Sequence, residues 1–134
     1  MASGQPGFGE KSSRLLGALR RRDKRTGLPS LGEFRLWLLG EATQEGLWRC
    51  TYCQAFLGVS GLSIDHRDPL SLGGPTSVAN LAVCCERCNR AKGALGEPEY
   101  RGLLALIKTW PLEMRVDIRR RLSQKPSFRS KARR

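Results

Sequence analysis

Cys50-Thr51-Tyr52-Cys53 and Cys85-Glu86-Arg87-Cys88-Asn89, with Ile64-Asp65-His66 and Asn80-Leu81 between them, form the stretch that decides how this chain folds. Each Cys-x2-Cys turn can set two sulfurs on one ion at about 2.3 Å, and two such turns complete a tetrahedral site. The pairs are separated by 31 residues. A small zinc ribbon holds fewer, so a subdomain is inserted between the knuckles. Four thiolates with no open position suit a structural Zn²⁺, which can contribute on the order of 10–16 kcal/mol to folding. An iron–sulfur cluster takes the same ligands, but nothing else in the chain points to electron transfer. Cys84 could stand in for Cys85, yet only Cys85 keeps the two-residue spacing to Cys88. Cys84 therefore reads as a small buried hydrophobe.

The chain has 134 residues, enough for one compact domain with flexible ends. A chain of this size buries only about two-thirds of its unfolded surface, so a metal staple helps. Lys plus Arg is 24 against 12 for Asp plus Glu, a net charge of +12. That excess favours a polyanionic partner, nucleic acid before an acidic membrane surface. Arg outnumbers Lys 18 to 6, and the guanidinium fork matches phosphate oxygens in a way an ammonium does not. No apolar run approaches the roughly 18 residues of a membrane span. The first residues lack an apolar signal core. The expected location is therefore the cytoplasm, a reducing compartment in which paired thiols bind metal rather than oxidise.

Outward from the knuckles, residues 1–9 read as a disordered N-terminus and 10–46 as a basic helical extension. Within it, Leu15, Leu16 and Leu19 fit one helix face beside the run Arg20-Arg21-Arg22-Asp23-Lys24-Arg25. That basic end can lie along a phosphate backbone or be a solvated helix end. Ser30-x-x-Glu33 reads as a capping box, and Leu31, Phe34, Trp37 and Leu38 follow at helical spacing as core. The knuckled core spans 47–95. Within it Trp48 to Cys53 reads as short and β-like, the stretch from Ala55 as a hairpin with a glycine-bearing turn whose second strand ends in Ile64-Asp65-His66, and Arg67 to Thr76 as a loop marked by Pro69, Gly73, Gly74 and Pro75. Ser77 to Leu81 reads as one helical turn, and a helix runs from Cys85 to Lys92. C-terminal helices occupy 96–125, with Tyr100, Leu103, Leu104, Ile107 and Trp110 facing inward in one, and Met114, Ile118 and Leu122 in the other. Residues 126–134 read as a disordered basic tail.

His66 is the only histidine. An imidazole near its ordinary pKa can deprotonate a water. Asp65 and Asn89 offer hard oxygen ligands, which suit Mg²⁺ or Mn²⁺ better than a soft ion. A divalent ion of this kind can clamp a scissile phosphate and its leaving oxygen. Over residues 48–93 the order Cys50/Cys53, Asp65-His66, Pro69, Gly73-Gly74, Asn80-Leu81, Cys85/Cys88-Asn89 and Lys92 resembles the HNH endonuclease family with its ββα-metal fold. The resemblance implies an α+β protein: a small ββα-metal core with a four-cysteine zinc site of Cys50, Cys53, Cys85 and Cys88, flanked by helices. It implies that His66 is the general base and Asp65 a metal ligand. Asn80 would brace the loop and orient His66, and Asn89 would stand where the family's final His or Asn binds metal. The motif here reads His-Asn-Asn, so the site has no second imidazole.

The expectation is then a DNA endonuclease with structural Zn²⁺ and one catalytic Mg²⁺ or Mn²⁺, leaving 5′-phosphate and 3′-hydroxyl ends as the family does. Arg67, Arg87, Arg90 and Lys92 are candidate DNA contacts, and Lys92 shares a helix face with Asn89. The small size fits a mobile-element or phage enzyme or a restriction factor, and the expected state is a monomer or weak dimer with no membrane partner. The competing reading is a zinc-stapled nucleic-acid-binding module without catalysis, and a third is an accessory or toxin-like nuclease that acts only with a partner.

Overall fold

The computed structural model describes residues 4–124, as five helices and two small antiparallel sheets. Helix α1 spans Phe8–Arg22 and buries Phe8, Ser12, Leu16 and Leu19. It begins within the stretch 1–9 expected to be disordered, because Phe8 continues the apolar stripe one turn before Ser12. The Phe8 ring stacks on Trp48, with centroids 6.1 Å apart and planes within 5°. The basic tail expected at 126–134 lies outside the described residues.

Helix α2, Leu31–Gly40, opens with the expected capping box. The Glu33 amide donates to Ser30 Oγ at 3.1 Å, and the Ser30 amide donates to the Glu33 carboxylate at 3.3 Å. Phe34 and Leu38 are fully buried. The carbonyl of Leu38 accepts from Trp48 Nε1 at 2.8 Å, so the indole brings both apolar area and a satisfied donor to the centre of the core.

Strand β1 (Trp48–Arg49) pairs with β2 (Phe56–Leu57), Trp48 opposite Leu57. The first knuckle is the turn between them. Strand β3 (Ser63–His66) pairs with β4 (Leu81–Cys84), Asp65 opposite Ala82 and His66 opposite Leu81. The expected strand ending at His66 is present as β3, but it does not pair with β2, so the hairpin expected there is absent. A 3-10 turn over Val59–Gly61 separates β2 from β3, and each strand takes a different partner. β3 and β4 are covered on both faces, and all four residues of β4 are buried. Their sequences consequently lack the alternation of a half-exposed strand.

The 3-10 turn Val78–Asn80 stands where one helical turn was expected. Helix α3, Glu86–Lys92, starts at its N-cap Cys85 and stops at Gly93, whose φ of +51° suits glycine. Helix α4, Glu97–Ile107, carries Pro98 in its first turn and buries Tyr100 and Ile107. Helix α5, Leu112–Ser123, packs along α3. Its expected apolar face is only partly used: Ile118 is half-buried, while Met114 is 53% and Leu122 38% exposed.

Candidate active site

The four-cysteine cluster fixes the ends of the core. The Sγ atoms of Cys50, Cys53, Cys85 and Cys88 all lie within 4.8 Å of one another, with Cys53 and Cys85 3.9 Å apart. A tetrahedron with about 2.3 Å metal–sulfur bonds has edges near 3.8 Å, so four thiolates at these spacings fit Zn²⁺. Thr51 ties the first knuckle to β4, its amide and hydroxyl both donating to the Val83 carbonyl at 2.9 and 2.7 Å. Arg119 of α5 donates to Cys88 Sγ at 2.9 Å, a charge-assisted bond that joins the last helix to the thiol cluster. Cys84 is fully buried in β4, and burial pushes its thiol pKa up, so it is an inert packing residue.

β3 carries Asp65 and His66 into a cleft of about 320 Å³ whose lining also includes Asn89 of α3 and Arg22 of α1. Asn89 donates through Nδ2 to Ser63 Oγ at 2.6 Å and to the Ile64 carbonyl at 3.4 Å. Its amide orientation is thereby set, and Oδ1 remains an acceptor. Asp65 is nearly buried, and its Oδ2 accepts from the Tyr52 hydroxyl at 2.5 Å. Lys92 Nζ lies 3.2 Å from Asp65 Oδ2 and 3.4 Å from Oδ1, and donates to the His66 carbonyl at 2.9 Å. Burial raises the Asp65 pKa, and Tyr52 and Lys92 oppose the rise. A carboxylate has about four lone-pair directions, so these partners leave capacity for a metal ion. Asp65 and Asn89 both line the cleft, and a carboxylate with an amide oxygen is the donor chemistry of a hard divalent cation.

Lys92 corrects one sequence expectation. It is 1% exposed and its ammonium serves Asp65 and the backbone inside the fold, so it is not a surface DNA contact. The helix face it shares with Asn89 turns toward β3. Arg67 is half-buried and paired with Glu97 at 2.5 Å. Arg87 is exposed, and Arg90 is exposed and paired with Glu86.

Asn80 is not among the residues that line the cleft; it spans the loop that leads from His66. Its Nδ2 donates to the carbonyls of Asp68 and Pro75 at 3.0 and 2.8 Å, and its Oδ1 accepts from the Asp68 amide at 3.0 Å. The loop is so tight that a Cβ at Gly74 would fall 1.8 Å from the Asp68 carbonyl oxygen. His66 itself is buried, with Nε2 2.7 Å from Thr76 Oγ1. Thr76 in turn donates to Asp23 Oδ2 at 2.6 Å. Burial holds the His66 pKa below its ordinary value. The charges of Arg22, Lys92 and Arg25 act in the same direction, and Asp23 opposes them. These effects favour the neutral ring, the form that can accept a proton.

Arg22, Asp23 and Thr76 carried no motif, and only the position of Arg22 and Asp23 within a basic run hinted at a role. Residues 50–95 match the family model described as HNH endonuclease, and this segment is an HNH endonuclease domain. The match takes in both knuckles, Asp65, His66, Asn80 and Asn89. It leaves α1, α2, α4 and α5 outside. No curated protein and no solved structure gives a match to the chain. The family suggests nuclease activity, and the thiol cluster supports a zinc site. Among the described residues no helix is long and apolar enough to cross a membrane.

Proposed function

We propose that the protein is a metal-dependent endonuclease that hydrolyses DNA phosphodiester bonds. One observation carries this reading: His66, Asp65 and Asn89 line a single cleft with Arg22 beside them, inside a segment that matches an HNH endonuclease model. His66 is the general base. Its neutral ring takes the proton from the attacking water, a step worth about 10²–10⁴-fold in rate. Asp65 and Asn89 would hold one Mg²⁺ or Mn²⁺. When bound, such an ion supplies positive charge to the scissile phosphate and the leaving oxygen. Tyr52 and Lys92 orient the Asp65 carboxylate, and Ser63 orients the Asn89 amide. Asn80 holds the loop that carries Thr76, and Thr76 contacts His66. Arg22, with Arg87 and Arg90 on the surface, supplies phosphate contacts, so affinity falls steeply with salt.

One cleft per chain cuts one strand per encounter, so a monomer nicks. The test is a time course on supercoiled plasmid at low salt with zinc-loaded protein, comparing added Mg²⁺, added Mn²⁺ and no added divalent ion. Relaxed circles that precede linears, only with the divalent ion, are expected. Intact plasmid under every condition would leave a zinc-stapled nucleic-acid-binding module in its place.

A further inference from the structure

The catalytic-motif segment does not hold His66 unaided. Its Nε2 lies 2.7 Å from Thr76 Oγ1, and Thr76 Oγ1 lies 2.6 Å from Asp23 Oδ2. Asp23 is the C-cap residue of α1, outside the stretch that matches the nuclease family. Its carboxylate is gripped by Arg25, whose amide and Nε donate to Oδ1 at 3.0 and 2.9 Å and whose Nη2 donates to Oδ2 at 2.8 Å. The same Nη2 donates to the Gly74 carbonyl at 2.8 Å. Arg25 thus pins the end of α1 to the loop that carries Thr76.

The direction of these bonds follows from counting hydrogens. Arg25 and Thr76 hold the Asp23 carboxyl well below the usual carboxylate range, so it is an anion with no hydrogen to give. A threonine hydroxyl has one hydrogen, and Thr76 gives it to Asp23. Toward His66 the Thr76 oxygen can then only accept. Nε2 must carry the ring proton, and Nδ1 keeps the lone pair. The hydrogen bond made by one ring nitrogen decides the state of the other, much as a buried Asp fixes the tautomer of the histidine in a serine-protease triad.

We propose that Asp23, acting through Thr76, is a positioning residue for His66, so that the N-terminal helix completes the active site of the nuclease segment. The inference rests on the reading of His66 as general base, and its test separates the two. His66 is the only histidine, so in full-length protein labelled with ¹⁵N-histidine every imidazole signal belongs to it. With no added divalent ion at pH 8, the parent should show a protonated Nε2 and an unprotonated Nδ1. Thr76→Val should give a mixture of tautomers. It should lower kcat by about 10–100-fold, the usual cost of losing an orienting partner, with little change in KM for DNA. Thr76→Ser keeps the hydroxyl and should retain both the tautomer and kcat. Asp23→Ala frees the Thr76 hydrogen for Nε2 and should shift the ring toward the Nδ1-protonated form. A parent ring protonated on Nδ1, or a Thr76→Val protein with parental tautomer and parental kcat, would overturn the proposal. Full cleavage by His66→Ala would remove the base reading instead, whatever tautomer the parent shows.

Discussion

Replacing Lys92 with methionine removes a buried ammonium while keeping nearly the same volume. The side chain of Lys92 is 0% exposed and that of Asp65 6%. Lys92 Nζ approaches Asp65 at 3.2 and 3.4 Å and donates to the His66 carbonyl at 2.9 Å. After the substitution the Asp65 carboxylate keeps only the Tyr52 hydroxyl at 2.5 Å among these partners. Breaking a buried pair from one side costs about 3–5 kcal/mol, because the remaining charge is left uncompensated. With a urea dependence of about 2 kcal/mol per M, the unfolding midpoint of the zinc-saturated protein should fall by roughly 2 M. The double variant Lys92→Met with Asp65→Asn removes the orphaned charge and should recover much of that loss, a coupling the double-mutant cycle reads directly. Mg²⁺ should also stabilise Lys92→Met more than the parent, since an ion on Asp65 would replace the missing positive charge. A Lys92→Met protein within about 1 kcal/mol of the parent but weakened in DNA binding would refute the argument, because the ammonium would then belong to the DNA surface.

Three further outcomes follow from the geometry. Stripping zinc with a strong chelator should abolish the cooperative melt and expose α5 to protease, because Arg119 bonds to a zinc-site sulfur; an unchanged melt would exclude a structural metal. The rate of cleavage should fall as pH drops through a midpoint below about 6.5, since a base must be unprotonated and burial with Arg22 favours the neutral ring. Arg22→Gln should move that midpoint upward, and a parental midpoint above 7 would contradict the electrostatics. Gly74→Ala must displace the Asp68 carbonyl, so it should lower stability by about 1–3 kcal/mol and, by shifting the Thr76 loop, cut kcat by up to about 10²-fold; parental activity would show that the loop does not position His66.

The legible parts of this chain were those with fixed chemical spacing. Two Cys-x2-Cys turns must converge on one ion, and the thiols do cluster. Ser30 and Glu33 announced their helix start because a capping box is a local pattern. The strands were harder. β1 and β2 have two residues each, and β3 finds its partner across a loop, so no local periodicity carries the pairing. β4 carries no alternating strand signal, because Leu81 to Cys84 are buried on both faces. At the site, sequence spacing put Lys92 on the face of Asn89 but could not say that this face turns inward. The link from Asp23 to Thr76 crosses 53 positions of chain and follows no spacing rule. Only the docking of α1 through Phe8, Leu16 and Leu19 creates it.

The most direct test of the account is plasmid cleavage by His66→Ala beside the parent, both zinc-loaded and folded by circular dichroism, with Mg²⁺ or Mn²⁺ supplied. The only imidazole of the chain is then gone, while the four thiols and the Asp65–Lys92 pair remain. Cleavage should fall by at least about 10²-fold while DNA binding persists. Cleavage at the parental rate would contradict the central claim that His66 is the base of this nuclease.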